Sequence, residues 1–407
     1  MQKVFCLHLI FLTLHNSNDN QKYMFQEFIY DDLKATCECA FFCPTKGVDE
    51  VHVMVHVAPL NEPFAGQLAR LKLAVSLMMQ NQEMKDTQIV AERYFLSDIA
   101  NQSVYFAHLN DRVDVSLIQQ PPLDGSKVAL WLYMVRGKEC APVVVAEEDR
   151  AKVVDTNNYR MLFHWGMQQE EGDSAEQTHS LLKTYSDLLA AWDGNIADHC
   201  VRTWFYVRDI DTQYAGMVKA RLEDFEEMGL TSKTHYIAST GIQGLPSKQK
   251  SLVQLGAMAI LGLEEGQVRY LYAPTHLNPT YEYGVTFERG TVVSFGDREH
   301  AYISGTASID NKGQVVAVGD IKGQTLRMIE NVEVLLKEAD MAFDDVMQIV
   351  VYLRDIADYD VVSKILKEKF PKHPMVVTLA PVCRPQWLIE MECIAVRGAE
   401  KSEFRVM

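Results

Sequence analysis

Positive charge is scarce in this chain. Lys and Arg number 39 against 55 Asp and Glu over 407 residues, a formal charge of −16. Phosphate affinity rests on clustered cations, so a general nucleic-acid binder is excluded, although a local basic pocket for a small anion is not. Eight Cys in a chain this long make no disulfide framework, which points to a reducing compartment and a cytoplasmic protein. No apolar run is long enough to span a bilayer, so no membrane partner is expected. Val4 to Leu14 comes nearest, preceded by Lys3 and interrupted by His8 and Thr13. It has the look of a signal-peptide apolar region, yet no small-x-small site follows in His15-Asn16-Ser17-Asn18, and Met24 as the true start fits as well. Also missing are a phosphate-binding glycine loop, G-x-S-x-G, HExxH, low-complexity tracts and sustained heptads. Cys37-x-Cys39-x3-Cys43 finds no fourth ligand at a zinc spacing, and strand alternation accounts for Cys37 and Cys39, so no metal is expected.

What the chain does have is a phrase repeated three times: a Gln, an amphipathic helix, then a strand ending in Asp-Ile. The copies run from Gln67 to Asp98-Ile99, from Gln177 to Asp209-Ile210, and from Gln324 to Asp355-Ile356. Apolar residues stand four, eight, eleven and twelve places after each Gln. They are Leu71, Val75, Met78 and Met79, then Leu181, Tyr185, Leu188 and Leu189, then Met328, Val332, Leu335 and Leu336. That spacing is one face of a helix. Three such copies predict three similar units, over residues 24–137, 155–272 and 287–398, with ligands bound where they meet. Residues 138–154, with the charge run Glu147-Glu148-Asp149-Arg150, read as a connector, and residues 273–284 as a second. Unit three shows two βαβ crossovers on one sheet, an α+β sandwich with one open sheet face. Three open faces packed inward around a pseudo-threefold axis would bury them, and a ring already closed in one chain predicts a monomer. Unit one is degenerate, with only Ala100 to Leu109 available for its second helix.

Two resemblances follow from particular residues. Ser304-Gly305-Thr306-Ala307-Ser308, the helix opening Gly323-Gln324-Thr325, and the strand Ile389 to Val396 resemble the RidA (YjgF) family. Those proteins are homotrimers with active sites between subunits, so the resemblance implies three RidA-like (chorismate-mutase-like βαβ) units forming a pseudo-trimer in one chain. A narrower similarity is to the chorismatases, which hydrolyse chorismate. It is carried by Arg202 to Ile210, by Arg221 and Phe225, by Ser239-Thr240-Gly241-Ile242, and by Cys383-Arg384-Pro385-Gln386-Trp387-Leu388-Ile389-Glu390. Phe205 stands where those enzymes usually have Asn, and Gln243 lengthens a turn. The RidA substrate-carboxylate Arg has no counterpart in Met375-Val376-Val377-Thr378.

The chorismatase resemblance implies cleavage of the enolpyruvyl ether of chorismate, or of a similar small cyclic dicarboxylate, to pyruvate plus a hydroxybenzoate or dihydrodiol, without metal or organic cofactor. Glu390 is the candidate general acid: Leu388, Ile389 and Met391 flank it, and Glu392 shares its strand face. Apolar surroundings and a like charge both raise a carboxyl pKa. Counting back from Gly398, Gly262 and Gly137 aligns Glu390 with Gln254 and Ala129, so only one cleft keeps the acid. Arg384 and Arg221 are candidates to clamp carboxylates, with Tyr206 nearby. Cys383 is a buried small residue or, by the resemblance, one that shapes the fate of the ring. Gly241 and Gly305 serve as plain turns or let backbone amides approach a ligand. His164, Trp165 and Gly166 fall where Ser304 and Gly305 fall in unit three. The alternatives are a RidA-like enamine or imine deaminase and a non-enzymatic pseudo-trimer that binds a small metabolite.

Overall fold

Each repeated Gln does the same physical job. Gln67 Oε1 accepts from the Lys127 amide at 2.7 Å, Gln177 Oε1 from Leu252 at 2.7 Å, and Gln324 Oε1 from Leu388 at 2.9 Å. A buried side-chain amide at the head of each long helix thereby fixes the start of the strand that crosses the centre of its sheet. The computed structural model describes residues 8–13, 21–109 and 112–407.

The long helices are Phe64–Met79, Ser174–Ala190 and Ile321–Glu338. Their buried faces include Leu71 and Met78, Leu181 and Leu189, and Met328 and Leu335, as the spacing predicts. Asp173 opens the second helix with a capping box, accepting from the amides of Ala175 and Glu176. Under each helix lies a sheet with the same five-strand order. Unit one contributes Ala35–Pro44, Asp49–Val57, Val128–Arg136, Gln88–Leu96 and Val115–Gln119. Unit two contributes Ala151–Asp155, Arg160–Gln168, Val253–Leu261, Cys200–Val207 and Ala238–Gln243. Unit three contributes Gly290–Ser294, Arg298–Ala307, Ile389–Gly398, Val346–Leu353 and Met375–Leu379. The fold is α+β, three related units in one chain.

Each edge strand leans on the next unit. The unit-one edge meets unit two through Trp165 N–H to Val113 O and through Leu245–Pro246, which pairs with Gln119 and Ile118. The unit-two edge meets unit three through bridges from Ala238 to Glu288 and from Ile242 to Val382. The unit-three edge returns to unit one through Leu123 N–H to Val377 O and Leu379 N–H to Pro121 O. The contacts run head to tail and close after three steps. Where the sheets converge, the Arg93 guanidinium carbon lies 4.8–5.4 Å from the ring centres of Trp131, Trp165, Trp204 and Tyr206, drawn from units one and two. Glu392 of unit three accepts from Arg93 at 3.3 Å and from Arg202 at 2.8 Å.

Several segments differ from the sequence reading. The supposed connector 138–154 holds Val144–Glu148, which pairs with Ala151–Asp155 as an edge hairpin of sheet two. Val268–Leu271, read as the end of unit two, pairs instead with Gly290–Ser294 in sheet three. The second helix is long in unit two, Ile210–Glu227, and shorter in unit three, Tyr359–Lys369. In unit one it is reduced to Ile99–Gln102 and a 3-10 stretch, Ser103–Leu109. Within the signal-like run, His8–Thr13 pairs with Gln21–Tyr30, and residues 4–7 and 14 lie outside the described residues. Cys37 and Cys39 are buried beneath the first long helix, where Cys39 Sγ lies 3.6 Å from Met78 Sδ.

Candidate active site

The register of the central strands carries the repeat into geometry. Glu390 lies opposite Tyr352, Gln254 opposite Tyr206, and Ala129 opposite Phe95. The three positions are therefore equivalent, as counting from the closing glycines predicts. Only in unit three does this position carry an acid.

Glu390 faces a cavity of about 240 Å³ between units two and three. Tyr214, Val218 and Arg221 reach it from the unit-two helix, and Ser239 and Gly241 from the adjoining edge strand. Arg289, Gly305, Cys383, Arg384, Trp387 and Glu390 close it from unit three. Glu390 is only 6% exposed. Burial, then the negative charge of Glu392, push its pKa up to about 8, against the pull of Arg202 and Arg289. The carboxyl is thus mostly protonated at neutral pH. Behind it, Glu392 also accepts from Trp204 Nε1 at 2.9 Å. Arg202 Nη2 donates to Thr240 Oγ1 at 2.6 Å, and the Gly305 amide donates to the same oxygen at 2.9 Å. A hydrogen-bonded chain therefore ties the backbone beside Glu390 to the centre of the molecule.

The arginines are built in. Arg221, 1% exposed, donates from Nε to Thr286 Oγ1 at 3.0 Å and lies over the Phe205 ring at 5.4 Å. Phe205, a departure from the chorismatase pattern, thus supplies an aromatic floor for the guanidinium. Arg289 donates to Asn278 O at 2.8 Å. Arg384 lies 5.0 Å from the Trp387 ring centre, held in the loop by Pro385. Arg289 went unnoticed in the sequence. Its one signal is a charged residue immediately before a β-branched strand, which an ordinary loop would show as well. Tyr214 was also missed, and Ser239 was noted only as part of the Ser239-Thr240-Gly241-Ile242 stretch. Ser239 N–H donates to Ser304 Oγ at 2.9 Å, and Ser304 Oγ donates to Glu288 O at 2.6 Å, which stitches the two units together beside the cavity.

The structure corrects the readings of Tyr206, Gly305 and Gly241. Tyr206 does not line the cavity: its ring faces Arg93 at the molecular centre, because its strand position pairs with Gln254 rather than meeting unit three. Gly305 offers no amide to a ligand, since that amide is bonded to Thr240. The glycine is needed for room, because a Cβ there would fall 2.1 Å from Glu390 Oε1. At Gly241 a Cβ would meet the Tyr214 ring at 3.1 Å, so that glycine too makes space rather than binding. Cys383 lines the cavity, where burial and then Glu390 push its pKa up to about 12. It stands there as a neutral thiol and not as a nucleophile. Gln243 Oε1 accepts from the Ile210 amide at 3.2 Å, so the lengthened turn braces the helix that carries Arg221.

Comparisons with known proteins bear on the family and the fold. A family model described as endoribonuclease L-PSP matches residues 292–397. A RutC family protein of Pyrococcus abyssi is 35% identical over 98 residues, 24% of this chain and 77% of the relative. The 3-aminoacrylate deaminase RutC of Acinetobacter baylyi is 32% identical over 96 residues, 23% of this chain and 76% of the relative. Among solved structures, a chorismatase superposes with a TM-score of 0.59 at 17% identity, covering 85% of this chain and 98% of that one. That likeness extends the shared fold beyond unit three to most of the chain. The chain belongs, through its third unit, to the RutC or endoribonuclease L-PSP family, and it shares its fold over most of its length with a chorismatase.

Proposed function

We propose that this protein is a chorismatase-like hydrolase acting on chorismate or a closely similar cyclic dicarboxylate, with Glu390 as general acid. The observation that carries the reading is a buried carboxyl, its pKa raised to about 8, in one cavity with Arg221, Arg289 and Arg384. A proton passes from Glu390 to the methylene carbon of the enolpyruvyl group, and the ether oxygen shares the resulting cationic charge. Water adds to the neighbouring carbon, the one that bears the ether oxygen, its proton returns to the Glu390 carboxylate, and the hemiketal collapses to pyruvate and the ring alcohol. The arginines hold carboxylates already charged in the ground state, so they contribute binding and orientation. Cys383, a neutral thiol, shapes the wall beside the ring. The chain works as a monomer on a small carboxylate, with neither nucleic acid nor membrane as partner.

A second reading, deamination of an enamine or imine, draws on the relative named as a 3-aminoacrylate deaminase. Against it, the strand Met375–Leu379 carries no Arg. Incubation with chorismate and assay of released pyruvate tests the first reading, and ammonia release from 3-aminoacrylate tests the second. Ammonia without pyruvate would reverse the preference.

A further inference from the structure

His164 is a buried polar side chain that the proposed reaction does not use. It is 1% exposed, and neither ring nitrogen has a hydrogen-bond partner among the described residues. Its ring lies edge-on to Tyr185 at 5.3 Å. Burial, then the charge of Arg150, lower its pKa to about 4. A neutral imidazole has one donor and one acceptor, and leaving both unmet in the interior is unfavourable. His164 borders a cavity of about 500 Å³ beside the second long helix, with Arg150, Gln168, Thr184, Leu181 and Leu188, and the acidic Glu147, Glu148 and Asp149 line it too.

Strand register relates this cavity to the one holding Glu390. Met167 lies opposite Leu255 past a bulge, as Thr306 lies opposite Met391 past a bulge. Trp165 and Gly166 therefore take the places of Ser304 and Gly305, and His164 that of Ile303. On the neighbouring strand, Arg150 precedes Ala151–Asp155 as Arg289 precedes Gly290–Ser294. The cavity thus keeps a cation in the Arg289 position and adds a buried group able both to give and to take a hydrogen bond. Arg112, on the unit-one side, is already engaged with Asp114 and Glu92.

We propose that this cavity is a second binding site, for a small carboxylate with a hydroxyl or amino group on the adjacent carbon. The carboxylate pairs with Arg150 and accepts from the His164 N–H, the adjacent hydroxyl or ammonium donates to the other ring nitrogen, and an apolar body packs on Leu181 and Leu188. This inference is independent of the hydrolase reading.

The test is calorimetric titration of the full chain with three probes of one skeleton: L-phenyllactate, L-phenylalanine and 3-phenylpropionate. At least one of the first two binds about tenfold more tightly than phenylpropionate, and which one identifies a hydroxy or an amino acid as the ligand. His164→Phe abolishes that preference, and Arg150→Ala, at an exposed position that leaves folding intact, weakens the favoured probe about tenfold. Arg384→Ala leaves the binding unchanged, which separates this site from the Glu390 cavity. No binding by the wild type at millimolar probe, binding that Arg150→Ala and His164→Phe leave intact, or binding lost in Arg384→Ala would each overturn the proposal.

Discussion

Glu390 holds its proton near neutrality because burial outweighs the two arginines whose charges reach it. Two consequences follow at the residue scale. kcat/KM should fall as pH rises through about 8, where the free enzyme loses the acid. Stability should move with it. Relative to the unfolded carboxyl near 4.5, the raised pKa contributes stability that is complete below 4.5 and lost as pH climbs through about 8. Thermal melts of wild type and Glu390→Gln should therefore diverge across that window, the wild type losing ground; parallel curves would show that the carboxyl is not perturbed. Gly305→Ala would drive a methyl group into Glu390 Oε1, so turnover should drop far more than melting temperature, as paired assays of both would reveal. The place of Glu390 was legible because alternation put Glu392 on its face and the repeat supplied Gln254 and Ala129 for comparison. The place of Tyr206 was not: alternation gives the face of a sheet, but depth along the strand decides between the cavity and the molecular centre.

At the scale of elements, the repeated Gln is a brace between a helix and a strand roughly sixty or more residues on in sequence. Gln324 also donates to Ala317 O and Gln386 O, and Gln177 to Gly172 O and Lys250 O. Gln324→Ala should cost about 1–3 kcal/mol in a urea melt, as expected for stranding buried partners. It should also lower kcat, because the strand that begins at Ile389 carries the acid. Gln67→Ala should cost similar stability and leave kcat unchanged; an equal loss of kcat in both would remove the link between this brace and the site. The helices were legible from period alone, and the Gln itself as a landmark. Its function was not, because the partner amides lie far away in sequence. The hairpin at 144–155 was hidden for another reason. The run Glu147-Glu148-Asp149-Arg150 has the composition of a solvated loop, yet only Asp149 and Arg150 make the turn, with φ of 45° and 62°.

Across the whole molecule, Glu392 is the carboxylate shared by guanidiniums from the other two units. Arg93 rises from unit one into a box of aromatic rings, and this is how a unit that lines no part of the Glu390 cavity supports it. Removing one partner of a buried ion network strands the others, so Glu392→Gln should destabilise the chain by about 3–5 kcal/mol in chemical denaturation. The three-unit ring was legible from the triplicated helix face. The composition of its centre was not, because Arg93, Arg202 and Glu392 come from three different units and share no sequence pattern. The central claim remains the acid in the one cleft that keeps it. Its most direct test is pyruvate release from chorismate by wild type and Glu390→Gln, assayed side by side at saturating substrate and neutral pH. The wild type should release pyruvate, and the variant should be slower by about 10²–10⁴-fold with little change in KM. Equal rates in the two proteins, or no pyruvate from the wild type, would contradict it.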